Sequence, residues 1–142
     1  MAKVLVLTFS DVERDPRVRR QIRLLLKDAG VVLASPGTNP FGQVGHISLE
    51  AGGARLVGQR IWAVFRLGAR AFEQHYWSQN VVKDALLKLS GTRFDLVISN
   101  DVECLPLALR IAGDAPVVLD AHEYAPAEFD DQLLWRIVQK PY

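Results

Sequence analysis

Short apolar runs alternate with amphipathic stretches along this chain, and the alternation predicts strands separated by helices. The clearest run, Val4–Leu7, is apolar at every position, as expected of a strand covered on both faces in a parallel sheet. After a polar loop, Asp15 is placed to cap a helix and Pro16 to occupy its first turn. We expect this helix to run to about Asp28 and to stop at Gly30.

The expected helix has two distinct sides. Its apolar residues recur at spacings of four, three and four, which places them on one narrow face: Val18, Ile22, Leu25 and Ala29. Basic residues occupy the opposite side, namely Arg19, Arg20, Arg23 and Lys27, and we interpret most of them as a solvated surface. A second short strand, Val31–Ala34, then completes a strand–helix–strand unit.

The rest of the chain continues the same alternation after a region rich in Gly, Pro, Ser and Asn. The predicted elements are short strands near His46–Leu49 and Arg55–Val57, a helical pattern from Ile61 to about Leu89 with a break near Trp77–Asn80, a strand at Phe94–Ser99, a helix from Pro106 to before Gly113, a strand at Pro116–Leu119 and a last helix at Ala127–Gln139. This order predicts an α/β fold, Rossmann-like and doubly wound, with a mostly parallel sheet and helices on both faces.

Composition narrows the class of protein. A chain of 142 residues, 49% hydrophobic and 23% charged, fits one globular domain spanning residues 1–142. The single cysteine, Cys104, excludes an internal disulfide and a multi-cysteine zinc cage, and we interpret it as a small buried thiol rather than a nucleophile. No apolar run is long enough to span a bilayer, and the first residues do not form a signal peptide, so we expect a cytoplasmic protein.

Charge is segregated along the chain although the net charge is only +1. The segment from Arg14 to Arg70 contains ten basic residues and three acidic ones. The segment from Asp95 to Asp131 contains nine acidic residues and one basic residue. Such segregation produces opposite poles on a folded surface and argues against a uniform groove for nucleic acid.

Polar clusters follow three of the predicted strands. They are Ser10, Asp11 and Asp15 after the first strand, Asn100, Asp101 and Glu103 after the strand at Phe94, and Asp120, His122 and Glu123 after the strand at Pro116. For any one cluster, loop solvation or helix capping explains the polar residues as well as a binding site does. Because ligands bind at the carboxyl ends of strands in open α/β sheets, three clusters on one edge predict a binding site.

Several familiar motifs are missing from the sequence. It contains no G-x-G-x-x-G and no G-x-x-x-x-G-K-[ST], so no glycine-rich phosphate cradle follows the first strand. It contains no G-x-S-x-G elbow, which excludes the usual serine hydrolase. The three histidines, His46, His75 and His122, lack the spacing of metal ligands. We therefore predict neither a metal nor a cofactor.

Taken in order, four segments resemble the N-terminal part of family-four-like glycosyltransferases of the GT-B fold. They are VLVLTFSD at 4–11, DPRVRR at 15–20, FDLVISND at 94–101 followed by Leu105 and Pro106, and VVLDAHE at 117–123. The resemblance covers nearly the whole chain apart from residues 35–58. It implies a Rossmann-like domain on the acceptor side of a cleft, with a nucleotide-sugar donor held mainly by a second domain.

The resemblance also implies roles for individual residues. Asp11, Asp15 and Arg17 would shape the loop over the acceptor, and Asn100 and Asp101 would line the cleft. His122, with Glu123, would face the reacting sugar and take the acceptor proton if the reaction inverts configuration. The family's donor domain carries two glutamates separated by seven residues, and no two glutamates of this chain are so spaced. We therefore expect the chain to lack the donor-binding domain and to be inactive alone.

Three further interpretations remain open. The segment Trp62–Arg70 combines aromatic and basic side chains and could make a peripheral contact with the inner membrane face, near a lipid-linked acceptor, although core packing explains the same apolar residues. A non-catalytic sugar- or partner-binding module would have the same fold. A response-regulator receiver, with Asp101 as phosphoacceptor and Asp11 near magnesium, fits poorly because ninety residues separate the two aspartates.

Overall fold

A computed structural model describes residues 1–50 and 72–121 of the chain. The strands are β1 (Ala2–Leu7), β2 (Ala29–Ser35), β3 (Gly45–Ser48), β4 (Leu96–Asn100) and β5 (Val117–Asp120). The helices are α1 (Pro16–Leu25), α2 (Phe72–Ser78), α3 (Asn80–Leu89) and α4 (Leu105–Ala112), and a 3-10 turn at Val102–Cys104 leads into α4.

The five strands form one sheet in the order β3-β2-β1-β4-β5, and each described pair is parallel. The central strand β1 pairs on one side with β2, where Val6 lies opposite Leu33, and on the other side with β4, where Val6 lies opposite Ile98. The chain moves outward from β1 to β3 and then returns to the other side of β1. This is the Rossmann-like α/β fold that the alternation of strands and helices predicts.

Every residue of β1 from Val4 onward is buried because helices cover both faces of the sheet. Leu5 and Leu7 point to one face, where they join a core with α3 and α4; the helix residues of that core include Val82, Leu89 and Leu107. Val6 points to the other face and packs with Val18 and Ile22 of α1. An unbroken apolar strand is therefore what this position in the sheet requires.

The end of α1 differs from the sequence prediction. The helix ends at Leu25, and Gly30 lies inside β2, opposite Lys3 of β1. After Leu25 the chain tightens, with the amides of Lys27 and Asp28 bonded to carbonyls three residues earlier. The reason is long-range: β2 already pairs with β1 from Ala29 onward, so the chain must leave the helix several residues before the glycine.

Other predicted elements agree with the structure to within a few residues. The strand near His46–Leu49 is β3, and the predicted helix break falls at Gln79, between α2 and α3. The predicted strand at Arg55–Val57, the segment Trp62–Arg70 and the last helix at Ala127–Gln139 lie outside the described residues. Within the described ranges, no helix combines the length and apolar character needed to cross a membrane.

Candidate functional site

The predicted meeting of strand ends occurs at the carboxyl edge of the sheet. β1 and β4 are neighbours at the point where the strand order reverses, and open α/β sheets bind ligands at such a point. On the far side of β4, Asn100 lies opposite Asp120 of β5, and the Asp101 amide donates to the Asp120 carbonyl at 3.0 Å. The carboxyl ends of β1, β4 and β5 therefore lie along one edge of the sheet.

Arg17, in the first turn of α1, links these strand ends. Its Nη2 lies 3.1 Å from Asp101 Oδ2 and 3.6 Å from Asp15 Oδ2. Its Nη1 donates to the Asp120 carbonyl oxygen at 3.4 Å and lies 3.9 Å from Asp120 Oδ1. We call Asp15, Arg17, Asp101 and Asp120 the Arg17 cluster. The guanidinium of Arg17 is turned toward the ends of β4 and β5. The resemblance assigns the same residue to the loop over the acceptor.

The cluster keeps Arg17 charged. Burial by itself would lower the pKa of the guanidinium, but the hydrogen bond and charge of Asp101, together with the charges of Asp120 and Asp15, raise it above its ordinary value. The carboxylates therefore surround a cation that belongs to the chain itself. Within residues 1–50 and 72–121, no three His, Cys, Asp or Glu side chains are placed to hold a metal ion.

Gln21, which the sequence analysis missed, joins the cluster to the sheet. Its Nε2 donates to Asp120 Oδ2 at 3.2 Å, and its Oε1 accepts from Asn100 Nδ2 at 3.2 Å. Gln21 lies four residues after Arg17, so the two side chains emerge on the same face of the helix. That spacing was the available signal, but nothing in the sequence shows which face of α1 turns toward the strand ends.

Asn100 is fully buried at the end of β4. Strand alternation places it on the same face as Ile98, beneath α1, which explains its bond to Gln21. Its Oδ1 has no hydrogen-bond partner among the described residues. Leaving a buried acceptor unpaired costs about 1–3 kcal/mol, so such an atom points to a ligand group or a water as its partner.

Asp101 has an unusual backbone conformation, with φ 70° and ψ 156°, a region that is almost exclusive to glycine. Three contacts hold it there: its amide bonds to Asp120, its carbonyl accepts from the Ser99 hydroxyl at 3.2 Å, and its carboxylate meets Arg17. Strained backbone of this kind concentrates at functional sites, where surrounding contacts compensate for its cost.

The N-terminus of α1 is closed to phosphate by Asp15. Its Oδ1 accepts from the amides of Arg17 at 3.0 Å and Val18 at 3.2 Å, as the predicted N-cap should. A helix N-terminus ordinarily offers these amides to an anion. Here an internal carboxylate uses them, which agrees with the absence of a glycine-rich phosphate loop.

A cleft of about 420 Å³ opens beside the cluster. It is lined by Ser10, Asp11, Arg14, Asp15, Pro16 and Arg17, and four of these are predicted site residues. Asp11 is fixed at the mouth because its Oδ1 accepts from the Glu13 amide at 3.1 Å. A Cβ at Gly37, in the loop after β2, would lie only 3.0 Å from that same oxygen. The loop after β2 thus packs closely against the Asp11 carboxylate.

Other predicted site residues are not brought into the cluster. Glu103 is exposed, and its carbonyl oxygen accepts from the Tyr76 hydroxyl at 2.8 Å. Cys104 is buried, as the sequence predicts, and burial raises the pKa of its thiol to about 12, which makes it a poor nucleophile. His122 and Glu123 lie outside the described residues.

The described residues form a Rossmann-like α/β domain, and its candidate site, at the reversal point of the sheet, combines aspartate, arginine and serine side chains. Comparisons with protein-family models, with curated proteins and with solved structures found no match for the chain. The geometry of the site and the sequence resemblance are therefore the grounds for any assignment of function.

Proposed function

We propose that this chain is the acceptor-side domain of a GT-B glycosyltransferase, which transfers a sugar from a nucleotide-sugar donor to a saccharide or lipid-linked acceptor. One observation carries the proposal: the Arg17 cluster and the adjoining cleft occupy the reversal point of a Rossmann-like sheet. The catalytic reaction would take place in the cytoplasm, with peripheral contact to the inner membrane face where the acceptor is lipid-linked.

The chemistry of the site suits a saccharide. Sugar hydroxyls each need a donor and an acceptor, and the residues that line the cleft offer both through Ser10, Asp11, Asp15 and Arg17. The cleft volume of about 420 Å³ is in the ordinary range for small ligands, about 300–1,000 Å³.

The closed helix N-terminus supports an acceptor role rather than a donor role. A nucleotide-sugar donor carries a diphosphate, and the amides best placed to receive it are bonded to Asp15. The donor is therefore assigned to a second domain, and the chain alone should show no turnover. His122 is the proposed catalytic base, and Glu123 is proposed to face the reacting sugar with it.

The proposal is tested by titrating the ¹⁵N-labelled chain with glucose and with N-acetylglucosamine and following amide shifts by NMR. Shifts should concentrate at residues 10–17, 100–103 and 120–123. Uridine diphosphate serves as the control and should leave residues 15–18 unmoved. If neither sugar shifts these residues, or if uridine diphosphate shifts them more than the sugars do, the acceptor role is wrong.

A further inference from the structure

Resting on the function proposed above, we infer that Gln21 is a positioning residue of the candidate site. It fixes the carboxylate of Asp120 and, through Asp120, the guanidinium of Arg17, which lines the cleft. Gln21 itself is not among the residues that line the cleft, and the resemblance gives it no role. The inference follows from the direction of the hydrogen bonds that connect the end of β4 to Arg17.

The carboxylate of Asp120 sets that direction. A carboxylate oxygen only accepts, so the side-chain amide of Gln21 must present its Nε2 to Asp120 Oδ2, at 3.2 Å. The other end of the same amide, Oε1, then faces Asn100 and accepts from its Nδ2, also at 3.2 Å. We call Asn100, Gln21 and Asp120 the Gln21 relay. Its hydrogen bonds run one way, from Asn100 to Asp120.

The relay begins at a rigid anchor. Asn100 is fully buried at the end of β4 and lies opposite Asp120 in the pairing of β4 with β5. The half-buried side chain of Gln21 therefore bridges two residues whose backbones are already held in register by the sheet. A side chain bonded at both ends in this way has little freedom to rotate, so it keeps the Asp120 carboxylate in one orientation.

Asp120 in turn holds one side of the Arg17 guanidinium. Its Oδ1 lies 3.9 Å from Arg17 Nη1, and its carbonyl oxygen accepts from the same nitrogen at 3.4 Å. Both distances are longer than that of an ideal hydrogen bond, so a rotation of the Asp120 side chain would weaken the contact further. Asp101 would still hold Nη2, at 3.1 Å. Loss of the relay should therefore loosen the guanidinium rather than release it.

Variants of the full chain test the relay. Gln21→Met keeps the length of the side chain without its hydrogen bonds, and Gln21→Glu keeps an acceptor for Asn100 but places a second carboxylate beside Asp120. Combining Gln21→Glu with Asp120→Asn exchanges the amide and the carboxylate, so a donor again meets an acceptor at each step of the relay. Gln74→Met, at an exposed position of α2, is the matched control.

Two NMR measurements are made on each variant. The first is the affinity for glucose and for N-acetylglucosamine, which Gln21→Met should weaken about three- to tenfold, as expected for the loss of one hydrogen bond. Gln21→Glu should weaken it more, because two carboxylates then repel each other. The combined variant should recover at least half of that loss, and Gln74→Met should bind as the wild type does.

The second measurement reports on Arg17 without any ligand. Its Nη protons should give separate signals at low temperature in the wild type, where contacts at both nitrogens restrict rotation of the guanidinium. These signals should broaden or merge in Gln21→Met and in Gln21→Glu. They should separate again in the combined variant and stay unchanged in Gln74→Met. A merely structural role of Gln21 would lower stability without this pattern.

The outcomes separate the two proposals. If the sugars bind but Gln21→Met changes neither their affinity nor the Arg17 signals, the positioning role is wrong and the acceptor role stands. If Asp120→Asn does not rescue Gln21→Glu, the direction of the relay is unimportant and the inference is also wrong; this comparison decides the question if Gln21→Met fails to fold. If neither sugar binds the wild type, the acceptor role is wrong, and the Arg17 signals decide whether Gln21 positions that side chain.

Discussion

The guanidinium of Arg17 lies 3.1 Å from the carboxylate of Asp101, although 84 residues separate the two along the chain. The contact joins the first turn of α1 to the loop after β4, across the point where the strand order reverses. Arg17 therefore has two effects: it holds the carboxyl edge together, and it sets the charge of the candidate site.

Replacing Arg17 should destabilise the protein because Asp15, Asp101 and Asp120 would each lose the contact that they make with its guanidinium. For Arg17→Met we expect a loss of about 1–2 kcal/mol in the free energy of unfolding, between the values for exposed and buried ion pairs. Urea denaturation measures it. Arg20→Met, an exposed change on the same helix, should stay within about 0.5 kcal/mol of the wild type, and an equal loss in both variants would contradict the role of the cluster.

The backbone conformation of Asp101 predicts that replacement by glycine costs less stability than replacement by alanine, the reverse of the usual order. Both Asp101→Ala and Asp101→Gly remove the Arg17 pair, but only glycine fits φ 70° and ψ 156° without strain. The glycine variant should therefore be more stable than the alanine variant by about 1 kcal/mol. At Asp114, where φ is not positive, the matched pair should show no advantage for glycine. Urea midpoints decide between these outcomes.

A side chain at Gly37 should destabilise the protein. Its φ is +79°, and a Cβ there would approach Asp11 Oδ1 to 3.0 Å. Gly37→Ala should cost about 1–2 kcal/mol and shift the NMR signals of residues 11–13, because the Asp11 side chain must move. Gly91→Ala is the control, since its φ is +81° and its Cβ would meet no atom within 4 Å. Similar losses for the two variants would mean that the contact with Asp11 is unimportant.

Asp84 predicts a pH dependence of stability. Burial alone would raise the pKa of this carboxyl, but hydrogen bonds from Lys88 Nζ at 2.8 Å and from the Glu50 amide at 2.9 Å, with the Lys88 charge, lower it below its ordinary value. A carboxyl whose pKa is lower in the folded state stabilises the protein above its unfolded pKa, about 3.9, and loses that contribution as pH falls through the folded pKa.

The stability of the wild type should therefore exceed that of Asp84→Asn by about 0.5–1 kcal/mol near pH 7, and the gap should close below about pH 4. Urea denaturation across this pH range provides the measurement, with Asp114→Asn as the exposed control. A gap that stays constant down to the lowest pH would show that the Asp84 charge contributes nothing.

Cys104 should be unreactive in the folded protein. Burial raises the pKa of its thiol to about 12, so almost no thiolate exists at pH 8. A chromogenic disulfide reagent should label the native chain at least about a hundredfold more slowly than the urea-unfolded chain. Rapid labelling of the native protein would reopen the interpretation of Cys104 as a nucleophile.

The parts of the fold that the sequence predicted well are those fixed by neighbouring residues. Asp15 and Pro16 start a helix because a cap and a restricted φ act within one turn, and both appear as expected. The helix end was predicted too late because pairing between β1 and β2 determines it, and that pairing joins residues far apart in the chain. Gln21 was not predicted for a related reason, since only the packing of α1 against the sheet sets the rotation of the helix about its axis.

For the described residues, the sequence by itself determined which segments are strands and helices, and it placed polar residues after β1, β4 and β5, because apolar periodicity and turn chemistry are local properties. Since parallel strands end at the same edge, it also predicted that these residues would meet. Only the tertiary structure decided that Arg17 turns toward Asp101 and Asp120, and that Asn100 is buried with an oxygen that has no partner among the described residues. Those outcomes depend on strand order and helix orientation, which are set by the packing of the whole core.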